Sequence, residues 1–204
     1  MNKRFLTGFL FLTVLSLGIG ALLVYGANSG DAEAYYPMKT GSLWSYKVTL
    51  PDKTTYSQIM EVSDPDDKYI RQVAYVNNQP AAIAYFIQNE QGILKTKEIY
   101  ASGTLKFEPM QMVLPANLKV GSTWSWLSVD QKAKETGIVV AEEKVTVTAG
   151  TFDTILIQSD GVDKDGVAYV DRTWFAKGIG YVKNEVVANG ETVTRELVEY
   201  KLAN

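Results

Sequence analysis

Lys39-Thr40-Gly41-Ser42-Leu43-Trp44-Ser45-Tyr46 decides the reading of this chain, because it returns as Lys119-Val120-Gly121-Ser122-Thr123-Trp124-Ser125-Trp126. The copies share the lysine, the glycine, both serines and the first tryptophan. In each, a glycine that takes φ > 0 without steric cost launches a run of alternating side chains. Trp44, Tyr46, Val48 and Leu50 fall on one face, and Ser45, Lys47 and Thr49 on the other. A period of two marks a half-buried strand. The repeat predicts a β-sheet domain with two related halves, starting near residues 38 and 118.

Working outward, candidate strands cover residues 43–50, 56–63, 69–76, 82–88, 93–100 and 105–107 in the first half. In the second they cover 123–129, 136–148, 152–162, 167–176, 181–187 and 192–202. Between them lies turn chemistry: Asp64-Pro65-Asp66-Asp67, Asn77-Asn78, Glu90-Gln91-Gly92, Lys164-Asp165-Gly166 and Asn189-Gly190. Short connections make neighbouring strands antiparallel. The fold class expected is all-β, a large twisted antiparallel meander curled as a half-barrel or folded as a two-layer sandwich. Residues 35–204 are enough for one such domain to bury a core without staples.

Ahead of it, Lys3 and Arg4 precede an uncharged apolar run over residues 5–25, expected to be a helix. This run is long for a signal-peptide core and close to the ~20 residues that span a bilayer. Ala32 and Ala34 supply a small-x-small cleavage pattern. Residues 1–34 are thus a signal peptide or an uncleaved membrane anchor with a spacer, and both place the domain outside the cytoplasm. The chain has no cysteine, so it has neither disulfides nor an N-terminal lipidation site. A net charge of −3 gives no reason to expect nucleic acid as a partner.

Two stretches break the alternation. Residues 81–87 are apolar throughout, and a strand apolar on both sides needs cover on both sides. Residues 108–118 hold Pro109, Pro115, Met110, Met112, Val113 and Leu114, and read as an apolar crossover between the halves. Together they suggest an apolar-ligand groove lined by Ala82, Ala84 and Phe86 and closed by Met110, Met112 and Leu114. A second layer of sheet over the same strand is the simpler alternative.

The ordered set Gly41-x-x-Trp44, Gly121-x-x-Trp124, Val147-Thr148-Ala149-Gly150-Thr151-Phe152 and Gly178-Ile179-Gly180-Tyr181-Val182-Lys183 resembles a group of exported bacterial β-sheet domains of unknown function. That resemblance implies an exported all-β domain, often tethered at the cell surface, with no catalytic residues to carry over. Physically, the motifs read as strand corners: Phe152 drops into the core, and the 178–180 turn packs closely on an aromatic such as Trp174 or Phe175.

With no histidine and no cysteine, the common general base, thiolate nucleophile and soft metal ligands are absent. No glycine-rich phosphate loop is present, and no cofactor is indicated. Asp163-Lys164-Asp165-Gly166 lacks the first and last carboxylates of a calcium loop and reads as a turn. A carboxylate-only enzyme would need a pocket pairing two carboxylates, one of them held protonated. Trp44, Trp124, Trp126 and Trp174 form either core or a stacking platform for sugar rings. The function expected is non-catalytic binding at the cell envelope of an apolar molecule or lipid; the alternative is an interaction module for a wall polysaccharide or a protein.

Overall fold

The computed structural model describes residues 30–66 and 68–203. The leader, and the apolar helix expected within it, lie outside the described residues.

A short helix, α1 (Asp31–Tyr35), precedes twelve strands. The first six are β1 (Leu43–Thr49), β2 (Thr55–Asp66), β3 (Tyr69–Val76), β4 (Gln79–Asn89), β5 (Gly92–Tyr100) and β6 (Gly103–Pro115). The second six are β7 (Thr123–Leu127), β8 (Lys134–Val147), β9 (Gly150–Val162), β10 (Ala168–Ala176), β11 (Gly180–Ala188) and β12 (Glu191–Lys201). All belong to one antiparallel sheet in the order β6-β5-β4-β3-β2-β1-β12-β11-β10-β9-β8-β7. The first and last strands pair with each other, so each half of the chain is an uninterrupted meander.

A sheet this long curls under its own twist. Its free edges meet: Val129 N–H donates to Glu108 O at 2.9 Å, and Trp126 Nε1 donates to Pro109 O at 2.8 Å. Phe107 and Trp126 are buried in this seam with Leu105, Met112 and Ala133 packed around them. The result is a nearly closed barrel. It resolves the choice between half-barrel and sandwich, because a curled sheet covers its own inner face and needs no second layer.

Both copies of the repeated motif make the same turn. Gly41 N–H donates to Val62 O and Gly121 N–H to Val139 O, each at 2.8 Å, and both glycines have φ of +88°. Their settings differ. Trp44 lies mid-sheet and is buried, whereas Trp124 sits on an edge strand over Gly137, where an added Cβ would lie 2.8 Å from the indole. The 178–180 turn does pack on an aromatic, but on Trp44 and Tyr36 rather than on Trp174 or Phe175. Trp44 Nε1 donates to Ile179 O at 2.6 Å. Phe152 is only half-buried, edge-on to Tyr200.

The expected crossover at residues 108–118 is a correction. Residues 103–115 form the edge strand β6, with only the following residues as connection. An edge strand has one row of N–H groups without ladder partners, so Pro109 is tolerated there. It sits where pairing with β5 is broken by a register shift between Lys95 and Lys97.

One end of the barrel is plugged. Ala32 of α1 is fully buried; Asp31 N–H donates to Ala116 O at 2.9 Å, and Gly178 N–H donates to Ala34 O at 2.6 Å. Beneath it, Tyr36 meets Trp44, Phe175 and Tyr181 at centroid distances of 6.3, 5.7 and 6.3 Å, and Tyr46 stacks on Tyr181 at 4.4 Å. This aromatic floor is the apolar part of the core.

Candidate functional site: the polar barrel interior

Above the floor the inward positions become polar. On β2, Gln58 has the same parity as Met60 and Val62; on β12, Arg195 has the parity of Leu197; on β8, Glu135 has that of Val139. All three are buried. Strand alternation points each of them to the inside.

Two networks result. Arg195 Nε donates to Gln58 Oε1 at 3.2 Å and its Nη1 to Asn184 Oδ1 at 2.7 Å. Asn184 Nδ2 donates to Asp171 Oδ1 and to Thr173 Oγ1, each at 2.8 Å, and Thr173 Oγ1 donates to Asp171 Oδ1 at 2.8 Å. On the opposite wall, Lys95 Nζ and Glu98 Oε1 form an ion pair at 2.8 Å, both side chains 3% exposed. The Tyr100 hydroxyl also donates to Glu98, and Lys95 lies 4.5 Å from the Phe107 ring centroid.

Glu135 lies between the walls. Its carboxylate accepts the Tyr169 hydroxyl, whose ring covers Gly161; a Cβ there would lie 2.3 Å from Tyr169 Cζ. Burial pushes the Glu135 carboxyl up to about 7, with the Asp171 charge adding to the rise. Bonds from Tyr169 and Ser159 and the Lys95 charge oppose it. Tyr169→Phe removes one of these opposing bonds, so the Glu135 carboxyl is expected to titrate above 7. Carbon-detected NMR titration of the carboxyl checks this, and a fall would contradict it.

Glu135 and Tyr169, with Gly161, Val187 and Ala188, line a cavity of about 530 Å³ at the barrel end opposite α1. The polar interior also holds side-chain atoms without hydrogen-bond partners: Tyr56 Oη, Gln58 Nε2 and Gln111 Oε1. Gln58 and Gln111 are 1% and 6% exposed. A buried polar atom left unpaired costs roughly 1–3 kcal/mol, so native interiors supply a partner for nearly all of them.

Of the six residues expected to bind an apolar ligand, four share one core cluster and the two methionines lie apart from it. Ala82, Ala84, Phe86 and Leu114 are at most 2% exposed and packed in the main core cluster by the chain's own side chains. Met112 packs in the seam and Met110 is half-buried beside Pro109. None of the six lines the cavity at the barrel mouth. The four tryptophans make no exposed platform: Trp44, Trp126 and Trp174 are buried and Trp124 is half-buried. At the 163–167 turn, Asp163 Oδ1 accepts the N–H groups of Asp165 and Val167, each at 2.9 Å. Among the described residues no cluster of three acidic, histidine or cysteine side chains is placed to hold a metal.

Sequence reasoning missed Gln58, Lys95, Glu98, Gln111, Glu135, Asp171, Asn184 and Arg195. For Gln58, Glu135, Asp171, Asn184 and Arg195 the signal was present, since each is polar at an inward position of an alternating strand; Lys95 and Glu98 share the interior only through the register shift between Lys95 and Lys97.

No family model matches the chain, and no curated protein matches it. Two solved structures are similar in fold. One is a "putative exported protein with YmcC-like fold" from Bacteroides fragilis, at 13% identity and a TM-score of 0.45, covering 82% of this chain and 99% of that one. The other is a "putative lipoprotein" from Parabacteroides distasonis, at 13% identity and a TM-score of 0.44, covering 82% and 98%. The chain is an all-β, single-sheet protein.

Proposed function

We propose that this is an extracytoplasmic, non-catalytic binding protein of the cell envelope, and that it holds a small polar ligand inside the barrel. The observation that carries the reading is the set of buried, unpaired Gln58, Gln111 and Tyr56 atoms on β2 and β6; the cavity at the mouth is lined by other residues, Glu135 and Tyr169 among them. Export rests on Lys3, Arg4 and the apolar run over residues 5–25. If uncleaved, that run is also the membrane partner. Because Ala32 and Ala34 belong to the plug, the mature chain retains Asp31, and any cleavage falls upstream of it.

Native mass spectrometry of the purified full-length product tests both points. The expected spectrum shows a chain beginning at or before Asp31 and a bound small molecule, released by denaturation. A chain beginning at Tyr35, or a ligand-free mass from every preparation, contradicts the reading. A released lipid would restore the apolar-ligand alternative. A wall polymer or protein bound at the outer surface would favour the interaction module.

Acid–base chemistry at Glu135 is the second reading, favoured by the proximity of Asp171 and by a carboxyl held near 7 at a cavity. Turnover of a bound compound, lost in Glu135→Gln, would establish it.

A further inference from the structure

β6 and β7 are neighbours in the barrel that share no ladder, whereas every other pair of adjacent strands is joined by one. The register of β6 shows what spans the gap. Lys95 of β5 pairs with Gln111 and Lys97 with Lys106, so Thr96 alone stands opposite residues 107–110. A stretch so much longer than its partner must leave the ladder and bulge away from it. This one crosses to β7: Glu108 O accepts the Val129 N–H and Pro109 O accepts the Trp126 indole N–H. The Phe107 ring lies 5.9 Å from that of Trp126 and 4.5 Å from Lys95 Nζ.

The hold on this segment is slight. Phe107 is buried, but Glu108 and Pro109 lie at the surface, as do Leu127 and Val129 across the seam. On the β5 side the Thr96 hydroxyl turns away, donating to Tyr85 O of β4 at 3.1 Å. A segment with few buried contacts and solvent-exposed hydrogen bonds opens at lower free energy than the sheet around it. Behind it stand the Lys95–Glu98 ion pair and, where the ladder resumes, the buried Gln111 with its unpaired Oε1. On its other flank Trp126 is the register partner of Glu135, which lines the mouth cavity.

From this placement we infer that residues 107–110 are a strap: released from Trp126 and Val129, they swing outward and open the barrel between β6 and β7 on that side of the mouth. The ladder segments before and after the strap, at residues 103–106 and 111–115, keep their partners on β5. Opening enlarges the mouth towards Gln111 and the Lys95–Glu98 pair, none of which lines the cavity itself. This goes beyond the binding reading and is independent of what is bound.

Two indole N–H groups test it on the unaltered chain. Trp126 Nε1 donates to Pro109 O at the strap, and Trp44 Nε1 donates to Ile179 O in the middle of the sheet. In hydrogen exchange of the full chain in a zwitterionic detergent, followed by NMR at rising urea, the Trp126 indole proton is expected to exchange about tenfold faster or more than that of Trp44. Its rate should be insensitive to low urea, the mark of local opening, while Trp44 follows global unfolding. The chain has no cysteine, so a single introduced thiol reports on its own site. Gln111→Cys, behind the strap, should react with N-ethylmaleimide about tenfold faster or more than Met60→Cys, which is buried in the middle of the sheet. Trp126→Phe removes the bond to Pro109 O and keeps a ring against Phe107; it should speed labelling of Gln111→Cys about threefold or more and leave Met60→Cys unchanged.

Indole protons that exchange together, both with the urea dependence of global unfolding, would overturn the strap, and that result needs no variant to fold. Equal labelling of the two thiols, or labelling of Gln111→Cys indifferent to Trp126→Phe, would overturn it too. Either failure leaves the binding reading standing, since bound mass and strap opening are measured separately.

Discussion

Replacing Lys95 by methionine is expected to destabilise the protein by about 3–5 kcal/mol, a large share of the total stability of a domain of this kind. The reason is what the substitution leaves behind rather than what it removes. Lys95 and Glu98 are both 3% exposed and 2.8 Å apart. Methionine fills the space of the aliphatic stem but strands the Glu98 carboxylate in the core, where the Tyr100 hydroxyl still donates to it. Removing both charges, in Lys95→Met with Glu98→Leu, should recover most of the loss, because a buried pair replaced by apolar groups often costs little. Urea denaturation of the wild type, the single variant and the double variant measures the coupling. A single variant within about 1 kcal/mol of wild type would show that water reaches Glu98 and that the interior is not dry.

The second large effect is a pH dependence of stability assigned to Glu135. Its carboxyl is raised in the folded state from 4.5 to about 7, so between those values the folded protein holds a proton that the unfolded chain has released. Stability from this group is full below the unfolded value, falls as pH rises through the window, and levels off above about 7. The drop is about 3 kcal/mol at 1.36 kcal/mol per pH unit. Groups acting on it are Tyr169 and Asp171 from β10, Ser159 from β9 and Lys95 from β5. Glu135→Gln keeps an acceptor for Tyr169 and cannot ionise. Its stability should therefore gain on wild type by about 2.5 kcal/mol between pH 5 and pH 8. Denaturation curves at both pH values check this, and parallel wild-type and variant profiles would contradict it.

Much of the architecture was legible in the sequence. All twelve strands could be placed from alternation and turn residues, and the Gly-x-x-Trp repeat located the first strand of each half. β6 was cut short because Pro109 and Pro115 argue against a central strand, and which strands lie at the edges depends on long-range pairing. Barrel versus sandwich was not legible for a similar reason. Closure rests on the contact of Trp126 and Val129 with residues 108 and 109, which no local pattern announces.

The site was legible only in part. An apolar run such as residues 81–87 attracts the eye, yet its inward half is ordinary core: Ala82, Ala84 and Phe86. The informative positions were polar residues breaking an apolar face. Gln58 before Met60, Glu135 before Val139 and Arg195 before Leu197 each look like a strand end exposed to water when read singly. Only the barrel brings them together.

A ligand held inside the barrel must pass its mouth. Ala188 lines the mouth on the inward side, opposite Tyr169 in the ladder. Ala188→Trp would place a large ring in the entrance, beside Tyr169. Native mass spectra of the wild type and this variant, prepared in parallel, should show a small molecule bound to the first and absent from the second, with equal thermal midpoints for the ligand-free chains. Equal occupancy in both would place the ligand elsewhere on the protein and contradict the account.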